Sequence, residues 1–253
     1  MHRAPEKAPE RAYEKAPERV PARGDALRHD EPAKPVRWGA LLSHRTVLGM
    51  MLGFFCMNFV KYFFITWFPS YLMEARGFSL AQLGTLGMIP ALCAIPGGRI
   101  GGATSDALFR RGWSMTAARK TCLVGGMLLS SCIVLCAFAQ SPLLAIVLFS
   151  VTYVSLSFVS ANAWSLPGDV APTPRHVATI SAIQNTASNV AGILTSTFTG
   201  VMLTLTHGSF LIPLVTAGAF CVIGAGAYLF VVGPVEPMTM KSSDDEGVAL
   251  KVT

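Results

Sequence analysis

Six apolar runs, each long enough to cross a lipid bilayer, constrain the fold of this chain more than any other feature. A helix crosses roughly 30 Å of hydrocarbon with about 20 apolar residues. Only 13% of the 253 residues are charged and 52% are hydrophobic, whereas a soluble domain has about 25% charged residues. We therefore predict an all-α membrane protein with six transmembrane helices. The predicted spans are Val47–Leu72, Gln82–Thr104, Thr121–Ala139, Leu143–Trp164, Val177–Thr204 and Phe210–Val232.

The two ends of the chain differ in composition from the apolar part. The tetrapeptides APEK, APER, AYEK and APER follow one another between Ala4 and Arg19. Frequent prolines prevent a continuous helix, and the low apolar content cannot form a core. We predict a disordered cytoplasmic tail at 1–44, a six-helix transmembrane half-domain at 45–235 and a disordered cytoplasmic tail at 236–253.

Basic residues mark one side of the predicted membrane domain. They concentrate in the N-terminal tail and in alternate connections, for example at Arg110, Arg111, Arg119 and Lys120. Because basic connections stay in the cytoplasm, we predict a multi-pass protein of the cell (inner) membrane with both termini cytoplasmic. The same clustering explains the net charge of +6 without any binding of nucleic acid.

Nothing in the sequence indicates an enzyme, a cofactor or a metal site. The six cysteines all lie in apolar runs and none has a Cys-x-x-Cys spacing, so we expect small buried apolar residues. Nucleophile–base arrangements, phosphate-binding loops and dinucleotide fingerprints are also missing from the sequence.

Lys61 is the most informative single residue, because it lies near the centre of the first span. A lysine there costs about 2.5–3.5 kcal/mol on insertion, and the twelve Val, Ile, Leu and Phe residues around it roughly outweigh that cost. It is either a structural charge or a contact for an anionic substrate, and we favour the second. Asn58 and Tyr62 beside it are further candidates for substrate contact.

The fifth span carries twelve Ser, Thr, Asn and Gln residues, and six of them share one helical face. A polar face inside a membrane must meet protein or water. It either lines a substrate cavity, which we favour, or forms hydrogen bonds between helices. The six residues are Ser181, Gln184, Asn185, Ser188, Asn189 and Thr195.

Residues 96–112, which read PGGRIGGATSDALFRRG, combine glycine pairs with charges. Two overlapping G-x-x-x-G pairs, Gly97/Gly101 and Gly98/Gly102, predict close helix packing in lipid. Asp106 follows, four and five residues before Arg110 and Arg111. By themselves these charges suit either an interacting site or an ordinary solvated basic loop.

The pattern Gly102-x-x-x-Asp106-x-x-x-Arg110-Arg111 resembles the loop signature of the major facilitator superfamily. Ala107 stands where that family has a basic residue, and Phe109 where it has a glycine. The resemblance implies that this motif controls a gate, with Asp106 helping to hold the cytoplasmic side shut through contact with another helix.

Two further stretches resemble the anion:cation symporter branch of that family, which includes the sugar-acid, phthalate and tartrate permeases. Asn58–Leu72 is similar to its seventh helix, although the branch has an aromatic or neutral residue where Lys61 stands. Trp164–Pro172, followed by Gln184–Asn189, resembles the join of its tenth and eleventh helices. This implies substrate contacts at Trp164 and Asn185, with Gln184 and Asn189 as neighbouring register positions.

The resemblance implies the C-terminal half of a twelve-helix fold, with a missing or separate N-terminal six-helix half as partner. Alone, the chain is not expected to transport, because the two halves rock around a shared site. The implied function is transport of an organic anion, a sugar acid or related carboxylate, by proton-coupled symport. The alternative is a non-transporting membrane fragment or scaffold subunit.

Overall fold

Six long helices, each apolar enough to cross a membrane, form the described part of the chain, residues 38–238 of a computed structural model. A short helix, Trp38–Leu42, precedes them, and no strand occurs in this range. The prediction of an all-α membrane protein is therefore confirmed. The helices are α1 (Arg45–Thr66), α2 (Leu80–Arg110), α3 (Met115–Ala137), α4 (Pro142–Val170), α5 (Pro174–Leu205) and α6 (Leu211–Val231). The predicted tails 1–44 and 236–253 lie mostly outside the described residues.

The first two spans are interrupted where the sequence supplies proline or glycine. The predicted first span extends to Leu72, but α1 ends at Thr66, and a short turn at Phe68–Ser70 and a π-helical turn at Tyr71–Ala75 follow. Pro69 explains the break, because it lacks the N–H that a continuous helix requires. In α2, a turn separates Leu80–Leu86 from Ile89–Arg110.

Two helices extend well past their predicted ends. The second span was expected to stop at Thr104, and the fourth at Trp164, yet α2 continues to Arg110 and α4 to Val170. The reason is physical, since hydropathy detects the part of a helix that lies in lipid and not its polar extension beyond. Consequently the charged motif that starts at Gly102 is helical as far as Arg110, and Asp169 lies in the last turn of α4.

The packing of the helices makes α1 and α4 the centre of the bundle. Helix α1 packs against α5, α6 and α4, while α2 packs mainly against α4 and α3 lies between α4 and α6. Only one of the two glycine pairs, Gly97/Gly101, brings the backbones of α2 and α4 close together. A Cβ added at Gly97 or Gly101 would lie 2.6 or 2.3 Å from a backbone oxygen of α4, whereas one at Gly102 would meet nothing within 4 Å.

Basic side chains cap the C-terminal end of α6. Lys120 Nζ donates to the carbonyl oxygens of Val232 at 2.5 Å and Leu229 at 3.2 Å, and Arg45 donates to that of Phe230. Cations at this end of a helix satisfy its free carbonyls and complement its dipole. We call this side of the bundle, which also carries Arg110, Arg111 and Arg119, the basic end.

Candidate functional site

Lys61 faces a small pocket enclosed by α1, α2 and α4. Its Nζ donates to Ser160 Oγ on α4 at 3.1 Å, and Ser160 Oγ in turn donates to Met57 Sδ at 3.6 Å. No carboxylate pairs with Lys61 within residues 38–238. The ammonium is thus held by one neutral hydroxyl, with donors left over for another acceptor.

The pocket around Lys61 has a volume of about 250 Å³ and a polar wall. Helix α4 contributes Tyr153, Ser157 and Ser160, while α2 contributes mainly small and apolar residues. The Tyr153 ring stacks on Phe64 of α1, with the centroids 4.6 Å apart, which fixes its orientation. One cation and three hydroxyls can bind a carboxylate that also carries hydroxyl groups.

Trp164 extends this wall toward the basic end. It lies one turn beyond Ser160 on the same face of α4, and half of its surface (50%) is exposed. Its ring meets Phe54 edge-on, with centroids 5.0 Å apart. The structure therefore brings Lys61 and Ser160 into contact across 99 residues of sequence, while Trp164 lies outside the residues that line the pocket.

Asn58 and Tyr62 do not face the Lys61 pocket. The Asn58 side chain is buried and donates to the carbonyl oxygen of Phe54 at 2.8 Å on the same helix. Tyr62 turns toward α5, where its ring lies over Gly192. It lines a second, wider groove of about 610 Å³ between α1 and α5, together with Asn189 and Ser196.

Part of the polar face of α5 forms hydrogen bonds between helices, and part of it is exposed, as expected of the wall of a cavity. Gln184 and Thr195 are buried and bond to other helices, Gln184 Nε2 to the carbonyl oxygen of Ala163 at 3.0 Å and Thr195 Oγ1 to that of Phe59 at 3.0 Å. Asn185 and Asn189 are exposed. One edge of the face thus holds the bundle together, and the other edge remains open to a ligand or a partner.

The motif Gly102–Arg111, for which a gating role was expected, presents its charges outward. Asp106, Arg110 and Arg111 are exposed, and none of them forms an ion pair within the described range. Gly102 has open space beside it. The Asp106 carboxylate therefore forms no ion pair with another helix within residues 38–238.

The ion pair at the basic end was not foreseen from the sequence. Arg119 Nε lies 2.9 Å from Asp169 Oδ2, and their side chains are only 11% and 20% exposed. Sequence reasoning placed Asp169 in a connection and gave Arg119 only to the basic cluster. No signal in the sequence could have paired them, because 50 residues separate the two.

Arg119 also joins α2 to this pair. Its Nη1 donates to Ser105 Oγ at 3.2 Å and to Asn162 Oδ1 at 3.3 Å, and Asn162 Nδ2 donates to the carbonyl oxygen of Gly101 at 3.1 Å. This network fastens α2, α3 and α4 together at the basic end, where α2 makes its close glycine approach to α4.

Cysteines and possible metal ligands add no further site. Four of the six free cysteines are buried, but Cys93 is exposed on α2, contrary to the expectation that all are buried. It lies on the open face of that helix, which hydropathy cannot distinguish from a packed one. In the part of the chain that the structure describes, no cluster of His, Cys, Asp and Glu could hold a metal ion.

Helices α2 and α5 are the least covered by the rest of the chain. In their most apolar stretches only 17% and 22% of residues are buried, compared with 61% in α1. They are also the two spans of lowest mean hydropathy. Their uncovered surfaces include large apolar side chains, such as Ile95 on α2 and Ile193 on α5, together with polar ones, so they are available for contact with lipid or with another protein.

Comparison with known proteins agrees with this architecture. Residues 3–196 match the family model described as Major Facilitator Superfamily. A probable galactarate/D-glucarate transporter of Escherichia coli K12 is 38% identical over 201 residues, 79% of this chain and 45% of that protein. One of Bacillus subtilis is 36% identical over 81% of this chain and 45% of its own length.

A D-galactonate transporter of Escherichia coli O6:H1 is 32% identical over 217 residues, 84% of this chain and 49% of that protein. The chain thus spans about half the length of these curated relatives.

Proposed function

The chain belongs to the major facilitator superfamily, and on this premise we propose that it is the second six-helix half of an organic-anion transporter. The cargo is a sugar acid or a related carboxylate, carried by proton-coupled symport across the inner membrane. By the positive-inside rule the basic end faces the cytoplasm, and this orientation places both termini on the cytoplasmic side.

The observation that carries this proposal is the environment of Lys61. A charged residue inside a membrane is expensive and marks a functional site by default. Here the ammonium bonds to a single neutral hydroxyl, Ser160 Oγ, and no carboxylate in residues 38–238 neutralises it. An anionic cargo supplies the missing charge, and a carboxylate accepts charge-assisted hydrogen bonds from it.

The remainder of the pocket favours a polyhydroxylated carboxylate. Tyr153, Ser157 and Ser160, which line the pocket together with Lys61, each carry a hydroxyl group that can donate to or accept from a hydroxyl of the cargo. The relatives named above are described as carrying galactarate, D-glucarate or D-galactonate, all of which are polyhydroxylated carboxylates. Trp164 and, on the α5 side, Asn185 and Asn189 offer further contacts.

A second six-helix half is the partner that we propose for the uncovered helices. The open faces of α2 and α5 carry Asp106, Asn185 and Asn189, and a half-transporter docked there encloses the cargo between two bodies that rock around it. In that assembly Asp106 contacts the first half at the cytoplasmic side and keeps it shut when the site faces outward.

Ligand binding tests the site without requiring transport. The purified chain in lipid nanodiscs is titrated with D-glucarate, D-galactonate and the neutral polyol galactitol by isothermal calorimetry. We expect the two anions to bind more tightly than galactitol, and Lys61→Met to weaken them by tenfold or more, as lost charged hydrogen bonds imply. Arg175→Gln, which removes an exposed cation from the start of α5, is the matched control. Equal binding of galactitol, or an unchanged Lys61→Met variant, contradicts the proposal.

Uptake measurements separate the transporter from the scaffold. Cells that lack their own sugar-acid uptake express this chain alone or together with a separately encoded first half of the Escherichia coli galactarate/D-glucarate transporter. We expect labelled D-glucarate to accumulate only with both halves and to stop when a protonophore abolishes the proton gradient. If neither combination accumulates label although both chains reach the membrane, the chain is a non-transporting subunit.

A further inference from the structure

A second cavity of the bundle shares no lining residue with the pocket around Lys61. Helices α2, α3 and α4 enclose an apolar groove of about 270 Å³ near the basic end. Its walls are mainly Leu108, Leu129, Val154 and Phe158, with Gly125 on the α3 side. The proposed transport function gives this groove no role.

Gly125 leaves the groove open. It is exposed, and a Cβ added there would meet nothing within 4 Å. The neighbouring Gly126 differs, because a Cβ there would lie 2.4 Å from a Val159 methyl group. Gly126 is thus needed for the packing of α3 on α4, whereas Gly125 only leaves space that a flexible apolar chain can fill.

A cation stands at the basic end of the groove. Arg111 is the residue that caps α2, and its backbone N–H donates to the carbonyl oxygen of Leu108, a residue of the groove wall, at 3.1 Å. Arg110 instead projects within about 40° of Asp106, on a different face of α2. An exposed guanidinium therefore stands on the residue that follows the last turn of α2, directly beyond the groove wall at Leu108, and Asp106, the one carboxylate of α2, is not among the lining residues.

Trp113 and the start of α3 complete this end. Trp113 is 44% exposed, and an exposed tryptophan at the end of a spanning helix is typical of the headgroup level of a bilayer. Helix α3 begins at Met115 with Ser114 as its cap, so its partially positive end lies in the same connection. An apolar groove that ends in a cation at headgroup depth matches the two parts of an anionic lipid.

We propose that this groove binds one anionic phospholipid, with an acyl chain along Gly125 and the phosphate beside Arg111. Basic pockets between helices on the cytoplasmic side recognise such headgroups by charge, and the apolar walls recognise the tail. Zwitterionic lipids enter the same groove with less affinity, because the cation of their headgroup offsets the attraction between the phosphate and Arg111.

Native mass spectrometry of the full chain tests the site. The delipidated protein is mixed with dioleoyl-phosphatidylglycerol or dioleoyl-phosphatidylcholine, and the retained molecules are counted. We expect one phosphatidylglycerol to be held preferentially. Arg111→Gln should reduce that preference about fivefold, as expected for one basic residue at an anionic surface, and Gly125→Leu should abolish retention of both lipids at this site.

Two matched variants control for general effects. Arg110→Gln removes the same charge from the other face of α2, and Gly226→Leu adds the same side chain in α6, where a Cβ also meets nothing within 4 Å. Both should retain the lipid as the unaltered chain does.

Circular dichroism checks that Gly125→Leu is folded. If it is not, the comparison of Arg111→Gln with Arg110→Gln decides. Equal retention of both lipids, equal effects of the two arginine variants, or a folded Gly125→Leu that still binds overturns the proposal.

Discussion

Arg119 Nε and Asp169 Oδ2 lie 2.9 Å apart, in the first turns of α3 and the last turn of α4. Through Ser105 and Asn162 the same arginine also reaches α2. Three helices are thus fastened together at the basic end by one guanidinium.

Asp169→Asn should destabilise the fold strongly. Removing one partner of a largely buried ion pair leaves an uncompensated charge, which costs roughly 3 kcal/mol. Denaturation with sodium dodecyl sulfate in detergent micelles measures the free energy of unfolding. The double variant Arg119→Met/Asp169→Leu removes both charges and should recover much of the loss. A double variant that is less stable than Asp169→Asn would contradict the pairing.

Gly101→Ala should be much more harmful than Gly102→Ala. A methyl at Gly101 would lie 2.3 Å from the carbonyl oxygen of Phe158, so α2 and α4 must separate. Overpacking of this kind costs about 1–3 kcal/mol. At Gly102 a methyl meets open space, and alanine is the better helix former. Unfolding of the two variants under the same conditions gives the comparison, and similar losses would refute the assigned packing.

Ser160→Ala should weaken binding of D-glucarate by a smaller factor than Lys61→Met. The hydroxyl positions Lys61 Nζ through a bond of 3.1 Å, and loss of one neutral hydrogen bond is worth about 0.5–1.5 kcal/mol. The expected weakening is therefore roughly twofold to tenfold. Ser165→Ala is the control, because Ser165 Oγ bonds only within its own helix, to Ala161. Calorimetry that finds the two serine variants alike would remove Ser160 from the site.

Arg76→Gln should loosen the end of the bundle opposite the basic end. Arg76 donates to the carbonyl oxygens of Ala139 at 2.6 Å and Cys136 at 2.7 Å and to Tyr71 Oη at 2.6 Å. We expect a loss of roughly 2 kcal/mol, since charged hydrogen bonds to buried acceptors are lost.

Arg76→Lys should not restore this stability, because an ammonium lacks the planar fork that reaches several acceptors at once. Glu74→Gln, which changes an exposed neighbour, should leave the midpoint of thermal unfolding unchanged. Full rescue by lysine would show that charge alone matters.

The membrane fold could be predicted from the sequence because its cause is local. Each span is a run of apolar residues whose length matches the bilayer, and this property needs no knowledge of neighbouring helices. The family motif at Gly102–Arg111 could also be recognised from the sequence, because its residues lie within one short stretch of the chain. Helix ends were less predictable, and α2 and α4 continue beyond the lipid on residues that hydropathy does not register.

Pairings between helices were decided by the tertiary structure. On one polar face of α5, Gln184 turned out to be buried and Asn185 exposed, and of two equivalent glycine pairs only Gly97/Gly101 contacts α4 closely. A helical repeat fixes which residues share a face, but the direction of that face depends on how the helices rotate and cross. The sequence by itself therefore determined six helices, a basic side and an unusual Lys61, whereas the three-dimensional packing alone decided that Lys61 meets Ser160 and that Arg119 meets Asp169.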